Sequence, residues 1–337
     1  MAHMDIFADD AFSMVELTAA LDKVPYKPQF LGDLGIFEPR PVRTIHISLE
    51  KRDNVLALIQ TSERGAPLDE RPNEKRDIRN FNTVRIAKAD ALYAHEIQSI
   101  RAFGAESELQ QVQQELARRM ERIRQDVELT HENMRLGAVQ GIVTDADGST
   151  IRNWYTDWDI SQAAEIDFEL DDTSTNVRGK CQEVRRAMER NAKGAMPPGT
   201  QVHALCDDVF FDAFIDHARV RDTYLNWAAA EQLRENRAFE SFPFAGIIFH
   251  NYRGTDDNST VAVGTDKAKF FPVGAPGVFQ VAWSPGESFD VTNTPGLPVY
   301  ARMIPDRDRN AWIKVEEYSY PLFICTRPEM LQRAKRA

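Results

Sequence analysis

Residues 107–160 read SELQQVQQELARRMERIRQDVELTHENMRLGAVQGIVTDADGSTIRNWYTDWDI, and their patterning decides the fold. From Leu109 the apolar side chains fall at Val112, Leu116, Met120, Ile123, Val127 and Met134. Those steps of three, four or seven keep one narrow stripe on a helix, while the other faces are almost wholly charged or amide. Ser107 with Gln110 reads as a capping box, and Gly137 as the residue just past the helix end, which gives roughly 29 helical residues and about 44 Å of rod. A rod of that length, buried on one stripe only, is expected to lie across a thin body as its strut. The chain then turns to strand, with Gly141 to Thr144 and Ser149 to Tyr155 joined through Asp145-Ala146-Asp147-Gly148. Trp154, Tyr155 and Trp158 cluster at strand spacing, which assigns them to core or subunit interface rather than to stacking a sugar or a base.

Upstream, Pro25, Pro28, Pro39 and Pro41 interrupt residues 5–40, where one short amphipathic helix near Ser13 to Leu21 is expected in an arm lying on something else or, equally on composition, in a free tail. Two strand-like runs follow, Arg43 to Ile59 and Phe81 to Leu92, separated by the charged stretch Thr61 to Asp77 with Gly65, Pro67 and Pro72. A hairpin that long, with a polar tip and few apolar residues of its own, needs another surface to lie on. The tip residues Glu63, Arg64, Asp69, Glu70, Arg71, Glu74, Lys75 and Arg76 carry both signs of charge, which suits steering of a contact and equally suits a solvated loop. A short helix from Ala94 to Phe103 leads to Gly104 and the strut.

Downstream, Val177, Cys181, Val184 and Met188 mark a helix, Gln201 to Leu205 a strand, and Asp207 the cap of a helix with Phe210, Phe214 and His217 on one face. Strands then recur at Ala245 to His250, Val278 to Trp283, Leu297 to Ile304 and Trp312 to Cys325, where Pro321 implies an edge or a bulge. The order of elements predicts an α+β fold with a mixed sheet carrying helices on its faces.

Several of these stretches carry a resemblance. Thr130-His131-Glu132-Asn133-Met134-Arg135-Leu136-Gly137-Ala138-Val139-Gln140-Gly141, then Asp145-Ala146-Asp147-Gly148 and Trp154, resemble the signature of the lambda-type tailed-phage major capsid proteins, the phage capsid protein E family. Residues 291–301 (VTNTPGLPVYA) and 321–329 (PLFICTRPE) agree with it, and the family's order holds from about residue 25 to 331. Tyr320 departs from the pattern, which more often has Asn before the Pro-Leu. The resemblance implies the tailed-phage major capsid fold, shared with herpesvirus capsid floors. Residues 1–4, Met-Ala-His-Met, read on their own as a cloning remnant with the native start at Met4. The parts that the resemblance implies would be an N-terminal arm at 5–40, an extended loop hairpin and a strand into the peripheral domain at 41–93, and a peripheral domain with the spine helix at 94–170. An axial domain with returning peripheral strands would occupy 171–325, and a C-terminal tail 326–337. It also implies a late structural protein of the virion, assembled in the host bacterial cytoplasm into hexamers and pentamers of an icosahedral head. The implied partners are further copies of itself, packaged double-stranded DNA bound without sequence specificity, and a decoration protein, scaffold or maturation protease, and portal.

Composition narrows the alternatives. The 337 residues suffice for two or three subdomains, and a net charge of −11 opposes affinity won by neutralising nucleic-acid phosphates, while suiting a container lining that does not trap DNA. No apolar run approaches about 18 residues and no charged-then-apolar leader is present, so a soluble protein without signal peptide or membrane partner is expected. Cys181, Cys206 and Cys325 lie far apart among apolar neighbours and read as buried reduced thiols, with no metal or other cofactor implied. There is no phosphate-cradling Gly-x-x-x-x-Gly-Lys-Ser/Thr, no Gly-x-Ser-x-Gly elbow and no His-Glu-x-x-His. Asp145 to Gly148 has its glycine fourth rather than sixth, so it reads as a hairpin turn and not a calcium loop. One alternative is an α/β hydrolase-like enzyme using His203 with Asp207 or Asp208, although Asp207 suits a helix cap, Asp208 a first-turn acid and His203 a strand position. Another is a protein-cargo nanocompartment shell of the same fold. His131 and Glu132, inside the strut, read as a solvated face rather than a catalytic pair.

Overall fold

A computed structural model describes residues 30–52, 76–99, 108–225, 241–255 and 261–337. In chain order these form α1 (Phe30–Asp33), β1 (Glu38–Pro41), β2 (His46–Arg52), β3 (Arg76–Asn82), β4 (Ile86–Tyr93), α2 (Ala94–Ser99), α3 (Glu108–Gln140), β5 (Ile142–Thr144) and β6 (Thr150–Asn153). There follow α4 (Trp154–Asp157), β7 (Ile166–Asp167), α5 (Val177–Ala192), β8 (Gln201–Cys206), α6 (Asp208–Asp216), α7 (Ala218–Leu225), β9 (Ser241–Phe244) and β10 (Ile247–Asn251). The chain ends with β11 (Lys267–Val273), β12 (Phe279–Trp283), β13 (Tyr300–Pro305), β14 (Trp312–Ser319), β15 (Pro321–Cys325) and β16 (Gln332–Lys335).

The strut is present and longer than its pattern suggests. α3 has 33 residues, about 50 Å at the ordinary helical rise, and ends at Gln140 rather than before Gly137. Gly141, at φ +84°, supplies the left-handed exit, and its N–H donates to the Ala138 carbonyl. Gly137 instead sits inside the helix because β5 crosses it closely: a Cβ there would lie 2.7 Å from Val143 Cα and 2.8 Å from the Ile142 carbonyl oxygen. The single-stripe expectation holds for the first half only. Leu116, Met120, Ile123 and Val127 pack on Val299, Ala301 and Val315 of the β13-β14-β4 sheet and the segment leading into it. From Glu128 onward the helix is buried on several faces, with Met134, Leu136, Ala138 and Val139 joining the largest core beside β12 and β15. One helix thus serves two sheets.

The mixed sheet is six-stranded, ordered β7-β16-β11-β8-β10-β9, with β8 and β10 parallel and β11 antiparallel to β8. Asn176 caps α5 by accepting from Gly179 N at 3.0 Å, and the helix lays Val177, Cys181, Val184 and Met188 into the second core. Phe210, Phe211 and Phe214 of α6 pack in that core against Phe242, Phe244 and Phe249. The three cysteines are free and buried.

Other boundaries move for identifiable reasons. The run Phe81 to Leu92 is two strands: β3 pairs with β2 in a regular hairpin from His46 opposite Asn82 to Arg52 opposite Arg76, whereas β4 pairs with β14. The run Trp312 to Cys325 is likewise two strands in two sheets, and Pro321 opens β15, the edge strand of the β1-β12-β15 sheet. The return strand stops at β6 because the Asn153 side chain accepts from Tyr155 N and Thr156 N and starts α4. Asp145 to Gly148 is the expected hairpin turn, with Asp145 N donating to Ser149 O at 2.8 Å. The expected helix near Ser13 to Leu21, the cap at Ser107 and the hairpin tip up to Lys75 lie outside the described residues. The described end of the arm, from Phe30, packs on its own chain. Residues 326–337, expected as a tail, carry β16, whose Ala334 is fully buried.

Since the atoms that a Cβ at position 137 meets are backbone and cannot rotate away, Gly137→Ala should destabilise the chain by about 1–3 kcal/mol in urea unfolding. An unchanged midpoint would show that β5 does not need the close approach.

Candidate functional site

The residues first considered for chemistry do not converge. His203 on β8 faces His250 on β10: His250 Nε2 lies 2.9 Å from His203 Nδ1, and His203 Nε2 lies 3.3 Å from Gln201 Oε1. Assigned from this chain of partners, each imidazole is neutral with its proton on Nε2. Burial holds His203 down at about 4, and burial together with the His203 ring holds His250 down at about 3. Phe30 packs on His250 at 4.6 Å between ring centroids, and Phe271 on His203 at 5.9 Å. Asp207 is the helix cap, accepting from Val209 N and from Asp266 N, both at 3.2 Å. Asp208 accepts from the Arg253 guanidinium at 3.0 Å on the surface. Histidine and acids are therefore each committed to separate tasks, which removes the hydrolase-like arrangement. Among the described residues no group of three or more His, Cys, Asp or Glu side chains is placed to hold a metal ion.

The hairpin tip residues Glu63, Arg64, Asp69, Glu70, Arg71, Glu74 and Lys75 lie outside the described residues, and Arg76 is the first residue of β3, opposite Arg52. What is described is the root of the hairpin. Ile47 and Phe81 are buried there, with the Phe81 ring edge-on to Trp154 at 5.2 Å and to Trp158 at 5.9 Å. Arg79 reaches the Asp157 carbonyl and the Asp159 carboxylate. The aromatic cluster Trp154, Tyr155 and Trp158 is thus core, carried on a short helix rather than a strand, and it anchors the hairpin.

The polar groups that do converge are on α3. His131 and Glu132, expected on a solvated face, are 1% and 0% exposed, because α1, β15 and Tyr252 cover this half of the helix. Glu132 Oε1 accepts from Leu31 N at 2.8 Å and from Tyr252 Oη at 3.2 Å, while Oε2 accepts from Gly32 N at 3.2 Å and from Arg135 at 3.3 Å. Burial pushes the Glu132 carboxyl up, against the pull of the Leu31 amide and Arg135. His131 Nε2 lies 2.9 Å from Ser319 Oγ, whose own proton goes to the Pro298 carbonyl at 2.6 Å, so Nε2 is the donor. Burial holds His131 below the usual imidazole range even with Glu128 beside it. The arrangement ties three parts of the chain to one helix turn. It has no reactive atom left over and does structural work.

A further acid escaped the sequence reading. Glu317 lies on the inward face of β14 between Val315 and Ser319, is fully buried, and neither carboxylate oxygen has a hydrogen-bond partner. Burial raises its pKa to about 8, helped by Asp126 and Glu128 and opposed by Arg124. The signal was available as the alternation Ile313, Val315, Glu317, Ser319, which puts a carboxyl at an apolar position.

Comparison with known proteins agrees on one family. The model described as phage major capsid protein E matches residues 13–336. The major capsid protein of Salmonella phage Felix O1 is 26% identical over 352 aligned residues, covering 95% of each chain. That of Pseudomonas phage KPP10 is 25% identical, covering 97% of each. Among solved structures, the mature capsid of bacteriophage PhiM1 superposes with a TM-score of 0.53 at 12% identity, covering 93% of this chain and 88% of that one, a likeness of fold.

Folding raises the Glu317 pKa from the ordinary 4.5 to about 8, so the folded chain binds this proton more tightly than the unfolded chain. Stability from this group is full below the unfolded pKa and is lost as pH rises toward 8. Glu317→Gln should remove that slope, leaving the variant more stable than the wild type at pH 9 by roughly 2–4 kcal/mol in denaturant unfolding. Equal loss of stability between pH 5 and pH 9 in both proteins would contradict the assignment.

Proposed function

This chain belongs to the phage major capsid protein E family, and on that premise we propose how it builds the head of which it is the major structural protein. The members of the family are capsid proteins and not enzymes, and the hydrolase-like and nanocompartment readings gain no support. Copies assemble as hexamers and pentamers of a closed icosahedral shell around double-stranded DNA. The observation that carries the reading is α3: one long helix whose buried acid and histidine are consumed in joining parts of different sheets, as a plate bearing load from neighbours requires.

In this reading the β13-β14-β4 sheet with α3 is the peripheral part, and the six-stranded sheet with α5 and α6 is the axial part that meets its copies around each ring. The β2-β3 hairpin, rooted by Phe81 and continuing into the charged residues 53–75, is the loop that lies over the adjacent copy. Both signs of charge at its tip favour docking on a mixed surface and oppose a single wrong register. The net charge of −11 keeps the lining from holding packaged DNA. A portal closes one vertex, and scaffold, maturation protease or decoration protein act on the assembled shell, in the host cytoplasm.

Electron microscopy of the purified protein should show rings or closed shells, and a uniform population of compact monomers would overturn the reading. Deleting residues 63–76 should leave the melting temperature of the unassembled chain within a few degrees of the wild type, since only the last ladder pair, Arg52 with Arg76, is lost and Phe81 keeps its partners, yet prevent closure. Normal shells from the deletion would refute the role of the tip.

A further inference from the structure

One feature of the surface has no use within the subunit. Phe289 is 99% exposed, the most exposed of the large apolar side chains among the described residues. It is not on a loose loop: residues Phe289–Val291 form a 3-10 turn in which Val291 N donates to Ser288 O and Thr294 Oγ1 donates to Val291 O at 2.7 Å. The turn carries the phenyl ring outward, and among the described residues none covers it.

Beside it is a cavity of about 230 Å³ lined by Tyr300, Tyr318, Tyr320, Val291, Gly286 and Arg302, with Glu287 and Ser288 at its lip. Tyr318 and Tyr320 lie parallel at 6.5 Å between ring centroids, and Tyr300 is tilted against Tyr320 at 6.2 Å. Arg85 fixes the rim, pairing with Glu287 at 2.8 Å and lying 5.2 Å over the Tyr318 ring. Gly286 leaves the floor open, since a Cβ there would lie 2.9 Å from Val291 Cγ2 and 3.6 Å from Tyr300. Phe289 is not among the lining residues, because its turn carries it away from the cavity of its own chain. Tyr320, the position that departs from the family pattern, supplies one wall.

Charge repeats the same complementarity. Asp290, next to the projecting ring, is exposed and pairs with no cation among the described residues. Arg302, in the cavity wall, is exposed and pairs with no acid among them. An aromatic ring followed by an unpaired carboxylate faces outward from one side of a turn. A tyrosine-walled hole with an unpaired guanidinium lies beside it.

We infer that Phe289 of one copy seats in the tyrosine cavity of a second copy, with its Asp290 reaching the Arg302 of that cavity. The proposal rests on the shell reading, which supplies copies at fixed spacing. Every chain carries both the projection and the hole in one patch, so the contact closes either reciprocally between two copies or head-to-tail around a ring, and the shell reading takes the second. Offset aromatic rings and a charge pair at the edge are the chemistry of interface anchors.

The test uses the full chain. Phe289→Ala, Asp290→Arg and Arg302→Asp should each raise the concentration needed for shell formation, read by sedimentation, by about tenfold, the scale of losing one interface anchor. Melting of the unassembled chain should not change for Phe289→Ala and Asp290→Arg, whose side chains are exposed, and should fall slightly for Arg302→Asp, which stands opposite Glu316. The double variant Asp290→Arg with Arg302→Asp should return most of the loss. Shells made by mixing Phe289→Cys copies with Arg302→Cys copies should give disulfide-linked dimers on mild oxidation, and neither variant alone should, the three native cysteines being buried. Phe289→Ala shells forming at the wild-type concentration, with no dimers in the mixed shells, would overturn the seating alone. A wild type that forms no shells would overturn the reading beneath it.

Discussion

A carboxylate taken out of water must be met by donors, and the placement of Glu132 depends on that requirement. With no exposed surface, it can stay in the middle of α3 only while Leu31 N, Gly32 N, Tyr252 Oη and Arg135 all point at it. Those donors come from the start of the described chain, from the segment after β10 and from the helix itself. Removing one of them leaves an uncompensated polar group in the core, which costs more than the bond contributes. The first turn of α1 and the six-stranded sheet are therefore held to α3 by one side chain. Nonpolar packing alone fixes the distance between such elements but not their register, whereas directed hydrogen bonds fix both.

His131, one residue away, makes the same kind of link in another direction. Through Ser319 and the Pro298 carbonyl it joins α3 to the end of β14 and to the segment that leads into β13. Ser319 stands next to Tyr320 and Pro321, where the chain leaves the β13-β14-β4 sheet and enters the β1-β12-β15 sheet. The second half of the helix is thus bonded at the crossing between these two sheets. Its first half holds one sheet face through Leu116, Met120, Ile123 and Val127 and through Arg119, which donates to the Ala91 carbonyl and pairs with Asp90 on β4.

The elements easiest to read in the sequence were those whose burial is local. The stripe from Leu116 to Met134, the α5 residues Val177, Cys181, Val184 and Met188, the Asp207 cap and the Asp145 to Gly148 turn each follow from a period or a cap within a few residues. What was not legible depended on partners far along the chain. Gly137 looks like a helix end until β5 is known to cross it, and only then does Gly141 become the exit. Phe81 to Leu92 looks like one strand because both halves alternate, yet β3 pairs with β2 and β4 with β14, more than 200 residues away in sequence. His131 and Glu132 look solvated because charged residues usually are, and only the coverage by Leu31, Phe323 and Tyr252 reverses that. The family motifs around Thr130 pointed at this turn without revealing why it matters, since a resemblance names positions and not the donors they meet.

Rigidity of this kind follows from what a shell subunit has to do. Each contact between copies is weak by itself, and closure strengthens it only when all contacts of one copy engage together. That condition is geometric: a subunit that flexes engages one neighbour and misses the next, and the gain from multiplicity disappears. A long helix held on both halves, with its middle turn fixed by buried hydrogen bonds, keeps the attachment points of different sheets at constant separation. The same logic explains where the chain is left unfinished. Interior groups such as Glu132, His131 and Asp207 have their partners within the subunit. Phe289, at 99% exposure, has no such partner among the described residues, and on the seating proposed above it finds one in a second copy.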